Sequence, residues 1–90
     1  RSVKTYTIDL TSVYNTDELH AAIRDVLLLP DYYGNNLDAL HDVLTDIREE
    51  CHITFLHTDE ADITMPNYMR SLRAMCKDVM EENKKLTIEV

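Results

Sequence analysis

Three short segments of this 90-residue chain alternate apolar with polar residues, and this alternation constrains the fold more than any other feature. The segments are Lys4–Leu10, His52–Leu56 and Leu86–Val90. A period of two puts every second side chain on the same face of a strand, so each segment predicts a β-strand with one buried face. Strands of a parallel sheet covered on both faces are instead continuous apolar runs. The pattern therefore predicts a sheet with one face open to solvent.

Apolar residues at helical spacing lie between these strands. Asn15 and Glu18 form a capping-box-like start for a helix whose pattern ends at Pro30, and Pro66 or Asn67 opens a later helix. The apolar stripe of the later helix is formed by Met69, Leu72, Cys76, Val79 and Met80. The polar loop that precedes this helix has room for a short helical turn, but its pattern does not place one.

Strands that alternate with helices are typical of parallel pairing through right-handed crossovers. Because the helices must pack on the one apolar face, successive crossovers of the same hand advance in one direction and give the strand order 1-2-3. Ninety residues have room for one core. The sequence therefore predicts a single α/β domain over residues 1–90, with a small three-stranded parallel sheet and helices on one face.

Gly34, the only glycine of the chain, lies between two tyrosines and two asparagines. This composition is typical of a tight turn, and we expect the glycine to supply a positive φ. The helix expected after the turn has a buried stripe at Leu37, Leu40, Val43, Leu44 and Ile47 and a neighbouring stripe at Asp38, Asp42, Thr45 and Glu49. Like charges at this spacing destabilise a helix by about 0.2 to 0.5 kcal/mol per pair, so the stripe is either tolerated in solvent or serves a cationic partner.

The net charge of −8 is concentrated in one part of the chain. Residues 31–62 hold nine acidic side chains and one basic side chain, whereas the other eight acids and eight bases cancel. Most acidic helical faces are ordinary solvated surface, and charge alone leaves that interpretation open. A nucleic acid does not fit as the direct partner, because phosphates are bound by basic patches. The natural complement is a basic protein.

The segment from Leu29 to Leu44 resembles the central part of the barstar family, the intracellular inhibitors of the bacterial ribonuclease barnase. A tyrosine pair, a glycine turn and an acidic helix follow one another in the family's order without a gap. The matching residues are Tyr32, Tyr33, Gly34, Asn36, Leu37, Asp38, Ala39, Leu40, Asp42, Leu44 and Thr45. Strands and helices of the right kind cover nearly the whole chain. The resemblance implies the small α/β fold and a ribonuclease inhibitor of the immunity or antitoxin type, not an enzyme.

The resemblance also implies a mechanism, in which the acidic helix places carboxylates where a basic ribonuclease would bind RNA phosphates. Asp42 matches the family's central aspartate, which occupies the phosphate site of the enzyme, and Asp38 matches the aspartate one turn earlier. Thr45, Asp78 and Glu82 align with further contact positions, although Glu82 is equally consistent with plain solvated surface.

The turn residues have roles that the sequence leaves partly open. Tyr32 is expected to contact the partner, whereas Tyr33 suits the core beneath the turn as well as it suits a contact. Asn36 can cap the acidic helix or donate hydrogen bonds to the partner, and capping is the favoured role.

The chain departs from the family pattern inside the binding segment. His41 and Ile47 stand where the family has tryptophan, Asn35 where barstar has an acid, and Asp46 where it has glycine. His41 and Asp46 are therefore expected at the contact surface with altered chemistry. We expect a monomer that binds, one to one, a basic microbial ribonuclease or related toxin other than barnase itself.

Two other classes of function are kept open. An enzyme would have to use Asp38, His41 and Asp42 with His52 or His57 as metal ligands or catalytic groups, but no HExxH, EF-hand or cysteine-pair spacing is present. We therefore expect no catalysis, no metal and no cofactor. The alternative is an acidic protein-interaction module whose partner is not a ribonuclease.

Cysteine usage and hydropathy indicate where the protein acts. Cys51 and Cys76 are expected as free buried thiols, which are typical of a cytosolic protein rich in regular structure. No apolar run approaches the roughly 18 residues of a membrane span, and no basic-then-apolar leader follows Arg1. We expect a cytoplasmic bacterial protein that binds no membrane.

Overall fold

The computed structural model describes residues 2–90. Arg1, where the sequence analysis looked for a leader, lies outside the described residues. The elements in chain order are β1 (Lys4–Asp9), α1 (Thr16–Leu27), α2 (Leu37–Thr45), β2 (Cys51–Leu56), α3 (Asp59–Thr64), α4 (Pro66–Glu82) and β3 (Leu86–Glu89). The strands pair in the order β1-β2-β3, and both pairs are parallel. The predicted fold class, strand number and strand order are confirmed.

The sheet has one buried and one open face, as the alternation predicted. Tyr6, Ile53 and Ile88 lie opposite one another across the three strands and face the core, as do Ile8 and Phe55 in the next inward row. Side chains of α1, α2 and α4 pack on this face. The open face carries Thr5, Thr7, Asp9, His52, Thr54, Leu56, Thr87 and Glu89.

Local hydrogen bonds begin and end α1. The side chain of Asn15 accepts from the backbone N–H of Glu18 at 2.8 Å, and the Glu18 carboxylate accepts from the N–H of Tyr14 at 2.8 Å. This satisfies N–H groups that lack a helical partner. The helix ends at Leu27, and its C-cap residue Leu28 adopts a left-handed conformation with φ 55° directly before Leu29 and Pro30.

The acidic helix α2 is shorter than the sequence predicted. It ends at Thr45, so Ile47 and Glu49 lie beyond it, and Glu49 forms an ion pair with Lys4 at 3.2 Å. The prediction that the acidic stripe extends to Glu49 is wrong. The cause is a contact from α4, because the Asn83 amide donates to the backbone oxygens of Leu44 at 3.1 Å and Ile47 at 2.9 Å and so holds the end of α2.

The short helix α3 occupies the segment that the sequence left without an element. It buries Ala61 and has no side-chain cap. Arg73 of α4 donates two hydrogen bonds to the Asp62 carboxylate, at 2.8 and 2.9 Å, and this bidentate pair fastens α3 to α4. The guanidinium lowers the pKa of Asp62.

The two cysteines are separate and buried. Cys51 lies on β2 and Cys76 on α4, and both are free, which confirms the prediction of two thiols. Burial raises the pKa of Cys76 to about 12, so its reactive thiolate form is disfavoured at neutral pH. Among residues 2–90, no helix is both long and apolar enough to cross a bilayer.

Candidate protein-binding site

The turn before α2 separates the two neighbouring tyrosines. Tyr32 is 88 % exposed, whereas Tyr33 is 6 % exposed and belongs to the core. The open question about Tyr33 is therefore settled in favour of the core. Tyr32 is exposed in the turn that precedes α2, and its contact with a partner stays a prediction.

Tyr33 is held by a buried imidazole. The Tyr33 hydroxyl lies 2.8 Å from Nδ1 of His20, and Nε2 of the same ring lies 2.7 Å from the Tyr68 hydroxyl. His20 is fully buried, and this burial lowers its pKa, so the ring is neutral at pH 7. A neutral ring donates one hydrogen bond and accepts one, which two hydroxyl groups can complete. The network ties the turn to α1 and α4.

Gly34 has a different role from the one predicted. Its φ is not positive; the left-handed conformation falls on Asn35, with φ 53°. Asparagine tolerates this conformation because its short polar side chain bonds locally. The space at Gly34 is tight instead, since a Cβ there would lie 3.3 Å from the Cβ of Ala39 and 3.4 Å from Nδ2 of Asn36, and a larger residue would require a small shift. The expected positive φ at Gly34 is therefore wrong by one residue.

Asn36 caps the acidic helix. Its Oδ1 accepts from the backbone N–H of Ala39 at 2.8 Å, and its Nδ2 donates to the backbone oxygen of Gly34 at 3.1 Å. The capping role is confirmed. A contact between Asn36 and a partner stays a prediction.

The acidic ridge consists of Asp38, Asp42 and Asp46, which are all exposed. Asp38 lies in the first turn of α2, where the positive end of the helix dipole stabilises a carboxylate. Asp42 lies in the last turn and Asp46 is the C-cap residue, and that turn contains no lysine or arginine to offset them. The negative end of the dipole disfavours both. Helix stability does not explain this arrangement.

His41 joins the acidic ridge to α4. Its Nε2 lies 2.8 Å from Oε2 of Glu82, and its Nδ1 lies 3.6 Å from Oδ1 of Asp42. These carboxylates raise the pKa of His41, the hydrogen bond to Glu82 most strongly, while burial opposes them. The structure thus brings three predicted site residues from two helices together. Asp78 lies one turn before Glu82 on α4 and is exposed.

Thr45 is partly buried at the end of α2. Its hydroxyl lies within donating distance of the backbone oxygens of His41 at 3.0 Å and Asp42 at 3.1 Å. The hydroxyl hydrogen is used inside the helix, and the oxygen keeps its capacity to accept. A contact with a partner stays a prediction.

An apolar groove borders α2 on the side that faces α1. Its volume is about 170 Å³. The lining residues are Tyr6, Leu27, Leu29, Val43, Ile47, Arg48, Glu49 and Cys51. Ile47, one of the departures from the family pattern, therefore shapes the surface beside the acidic ridge.

The residues of the metal alternative do not converge. His52 and His57 pair with Glu89 and Asp9 on the open face of the sheet, away from α2. Within residues 2–90, no group of three or more histidine, cysteine or acidic side chains is arranged to hold a metal ion.

Sequence reasoning missed the residues that position this site. His20, Tyr68 and Asn83 contact it through partners far away in the chain, so no local pattern could pair them. For Asn83 the sequence offers one signal, since it follows shortly after the apolar stripe of α4 and asparagine is common where helices end.

The fold is that of a small α/β protein with an exposed acidic helix at one side of its core. A family model described as "Barstar (barnase inhibitor)" matches residues 3–90, so the chain belongs to the barstar family. The chain is also similar to the protein named "Putative ribonuclease inhibitor YrdF" of Bacillus subtilis (strain 168), at 53 % identity over 38 residues. That match spans 42 % of this chain and 42 % of the relative.

Proposed function

We propose that this protein inhibits a basic, barnase-like ribonuclease by placing the acidic ridge in the active site of the enzyme. The observation that carries the proposal is the ridge itself. Three carboxylates are exposed on one short helix and its C-cap residue, and Asp42 and Asp46 lie where the helix dipole disfavours them. Binding to a cationic partner accounts for side chains that do not help their own helix. Membership of the barstar family and the name of the relative support the same function.

The inhibitory mechanism is charge substitution. A ribonuclease binds RNA phosphates through arginine, lysine and histidine side chains, and a carboxylate accepts the same charge-assisted hydrogen bonds. In this proposal Asp42 enters the phosphate site, with Asp38 one turn earlier, and the 84 % exposure of the Asp42 side chain supports this role. One desolvated carboxylate can dominate an interface, and the barnase–barstar pair is itself a standard example of that behaviour. Tyr32, Asp78 and Glu82 would contact the surrounding surface.

The partner differs from barnase at the edge of the contact. His41 and Ile47 replace two large aromatic rings of the family pattern, and Ile47 lines the groove beside the acidic ridge. Asp46 adds a charge. We therefore propose a basic ribonuclease or related toxin with a different rim, bound one to one, with this protein acting as its cytoplasmic immunity protein or antitoxin.

A titration tests this function. The protein is added in steps to a panel of basic barnase-like ribonucleases, barnase included, while cleavage of a fluorogenic RNA is followed. We expect cleavage by the cognate enzyme to stop near an equimolar ratio. Asp25→Ala, which removes a charge from the exposed side of α1, serves as the matched control and should inhibit like the parent. Undiminished cleavage by every enzyme of the panel, even with the protein in large excess, would favour the acidic interaction module.

A further inference from the structure

The His41 imidazole lies between two carboxylates that the proposed function assigns to the partner. Its side chain is 33 % exposed, and its two nitrogens face Glu82 at 2.8 Å and Asp42 at 3.6 Å. Asp38 lies one turn before His41 on α2, and Asp78 lies one turn before Glu82 on α4. The charged side chains with which the imidazole pairs are both carboxylates. A protonated His41 is therefore a cation of the protein itself, and it lies on the surface that the proposed function assigns to the cationic side chains of the partner.

An internal and an external cation compete for the same oxygens. An arginine or lysine of the partner that binds Asp42 or Glu82 approaches the imidazolium, and two like charges at such distances repel, more strongly as water leaves the interface. The partner also neutralises the carboxylates that hold the proton on His41. The proton is consequently favoured in the free protein, where the acids raise the pKa of His41, and disfavoured in the complex.

We infer that His41 is a proton-linked positioning residue of the acidic ridge, which a basic partner binds with release of the His41 proton. This inference rests on the proposed function, because it requires a basic partner at the ridge. By linkage, affinity must rise with pH across the range in which His41 loses its proton, by at most about tenfold per pH unit for one proton. The protonated form of His41 places a cation beside Asp42 and Glu82, and the neutral form removes that charge.

The test compares three proteins binding an inactivated ribonuclease from the inhibited panel, from about pH 5.5 to about pH 8.5, where imidazoles titrate. His41→Gln keeps a hydrogen-bond donor without a charge, and His41→Lys keeps a charge at every pH of the series. The enzyme's own histidines titrate in the same range. The ratio of the parent Kd to the His41→Gln Kd removes their contribution, because it is common to both proteins.

We expect this ratio to fall about fivefold or more from the acidic to the basic end, and the His41→Lys protein to bind weakly throughout. His52→Gln, which breaks a histidine–carboxylate pair on the open face of the sheet, should keep the parent profile. A constant ratio with tight binding would overturn this inference and leave the proposed function standing. Absence of binding by parent and variants at every pH would remove the proposed function and this inference with it.

Discussion

The buried imidazole of His20 and the partly exposed imidazole of His41 each connect separate elements of the fold, in opposite electrostatic surroundings. His20 has two neutral tyrosine hydroxyls as partners and no access to solvent, and burial lowers its pKa. His41 has two carboxylates as partners, which raise its pKa. The same side chain is therefore kept neutral at one place and favoured as a cation at the other.

This difference separates the framework of the protein from its proposed binding surface. The His20 network satisfies every polar group that it buries and anchors Tyr33, so that the adjacent Tyr32 is presented on the surface. The acidic ridge does not stabilise the fold, since its like charges repel one another and two of them are disfavoured by the helix dipole. Substitutions in the His20 network should accordingly lower stability, whereas substitutions in the acidic ridge should weaken binding.

The largest expected effect on stability is that of substitutions in the buried His20 network. His20→Ala leaves a cavity and removes the nitrogen partners of Tyr33 and Tyr68, and we expect it to lower the free energy of unfolding by about 2 to 5 kcal/mol. Urea denaturation followed by circular dichroism measures the change. His52→Ala, on the open face of the sheet, is the control and should change stability by less than about 1 kcal/mol. Equal effects of the two substitutions would remove His20 from the framework.

The pH dependence of stability should distinguish the two histidines by sign. Below the unfolded pKa of about 6.5, the unfolded chain binds a proton at residue 20 that the folded protein excludes, so stability falls as the pH decreases. His41 contributes stability that is fully present below about pH 6.5 and is lost as the pH rises through its raised folded pKa. Urea denaturation across the pH range should show His20→Gln flattening the acidic limb and His41→Gln flattening the basic limb. The opposite assignment of the two limbs would contradict the comparison.

The smallest expected effect on stability is that of His41→Gln at pH 7. An exposed ion pair contributes little, so the free energy of unfolding should change by less than about 1 kcal/mol. The same denaturation experiment provides the value. A loss as large as that of His20→Ala would make His41 a structural tie between α2 and α4 and not a feature of the binding surface.

The sheet could be predicted because its evidence is local. Ile8, Ile53 and Ile88 each belong to a strand with period-two alternation, and that period alone indicates one buried face. The capping of α1 by Asn15 and of α2 by Asn36 is likewise set by neighbouring residues. The proposed site residues come from the resemblance to the barstar family, and their contacts with a partner stay a prediction.

The parts that could not be predicted depend on contacts between distant residues. Asp62 of α3 is held by Arg73, 11 positions away, and α2 ends where Asn83 reaches it from α4. His20 meets Tyr68 over 48 positions and His41 meets Glu82 over 41. The expectation for Gly34 failed for a different reason, because the composition of the segment indicates a turn but does not show that Asn35 and not Gly34 adopts the positive φ.

The central claim is that Asp42 serves a partner and not the fold. Its most direct test measures both the inhibition constant of Asp42→Ala against the cognate ribonuclease and its unfolding midpoint. Asp25→Ala is the matched charge control, and Asp38→Ala should show the same effects to a lesser degree. We predict that Asp42→Ala weakens inhibition by about 3 kcal/mol or more, over 100-fold, with the midpoint unchanged or raised. An Asp42→Ala protein that unfolds, or that inhibits as well as the parent, would contradict the claim.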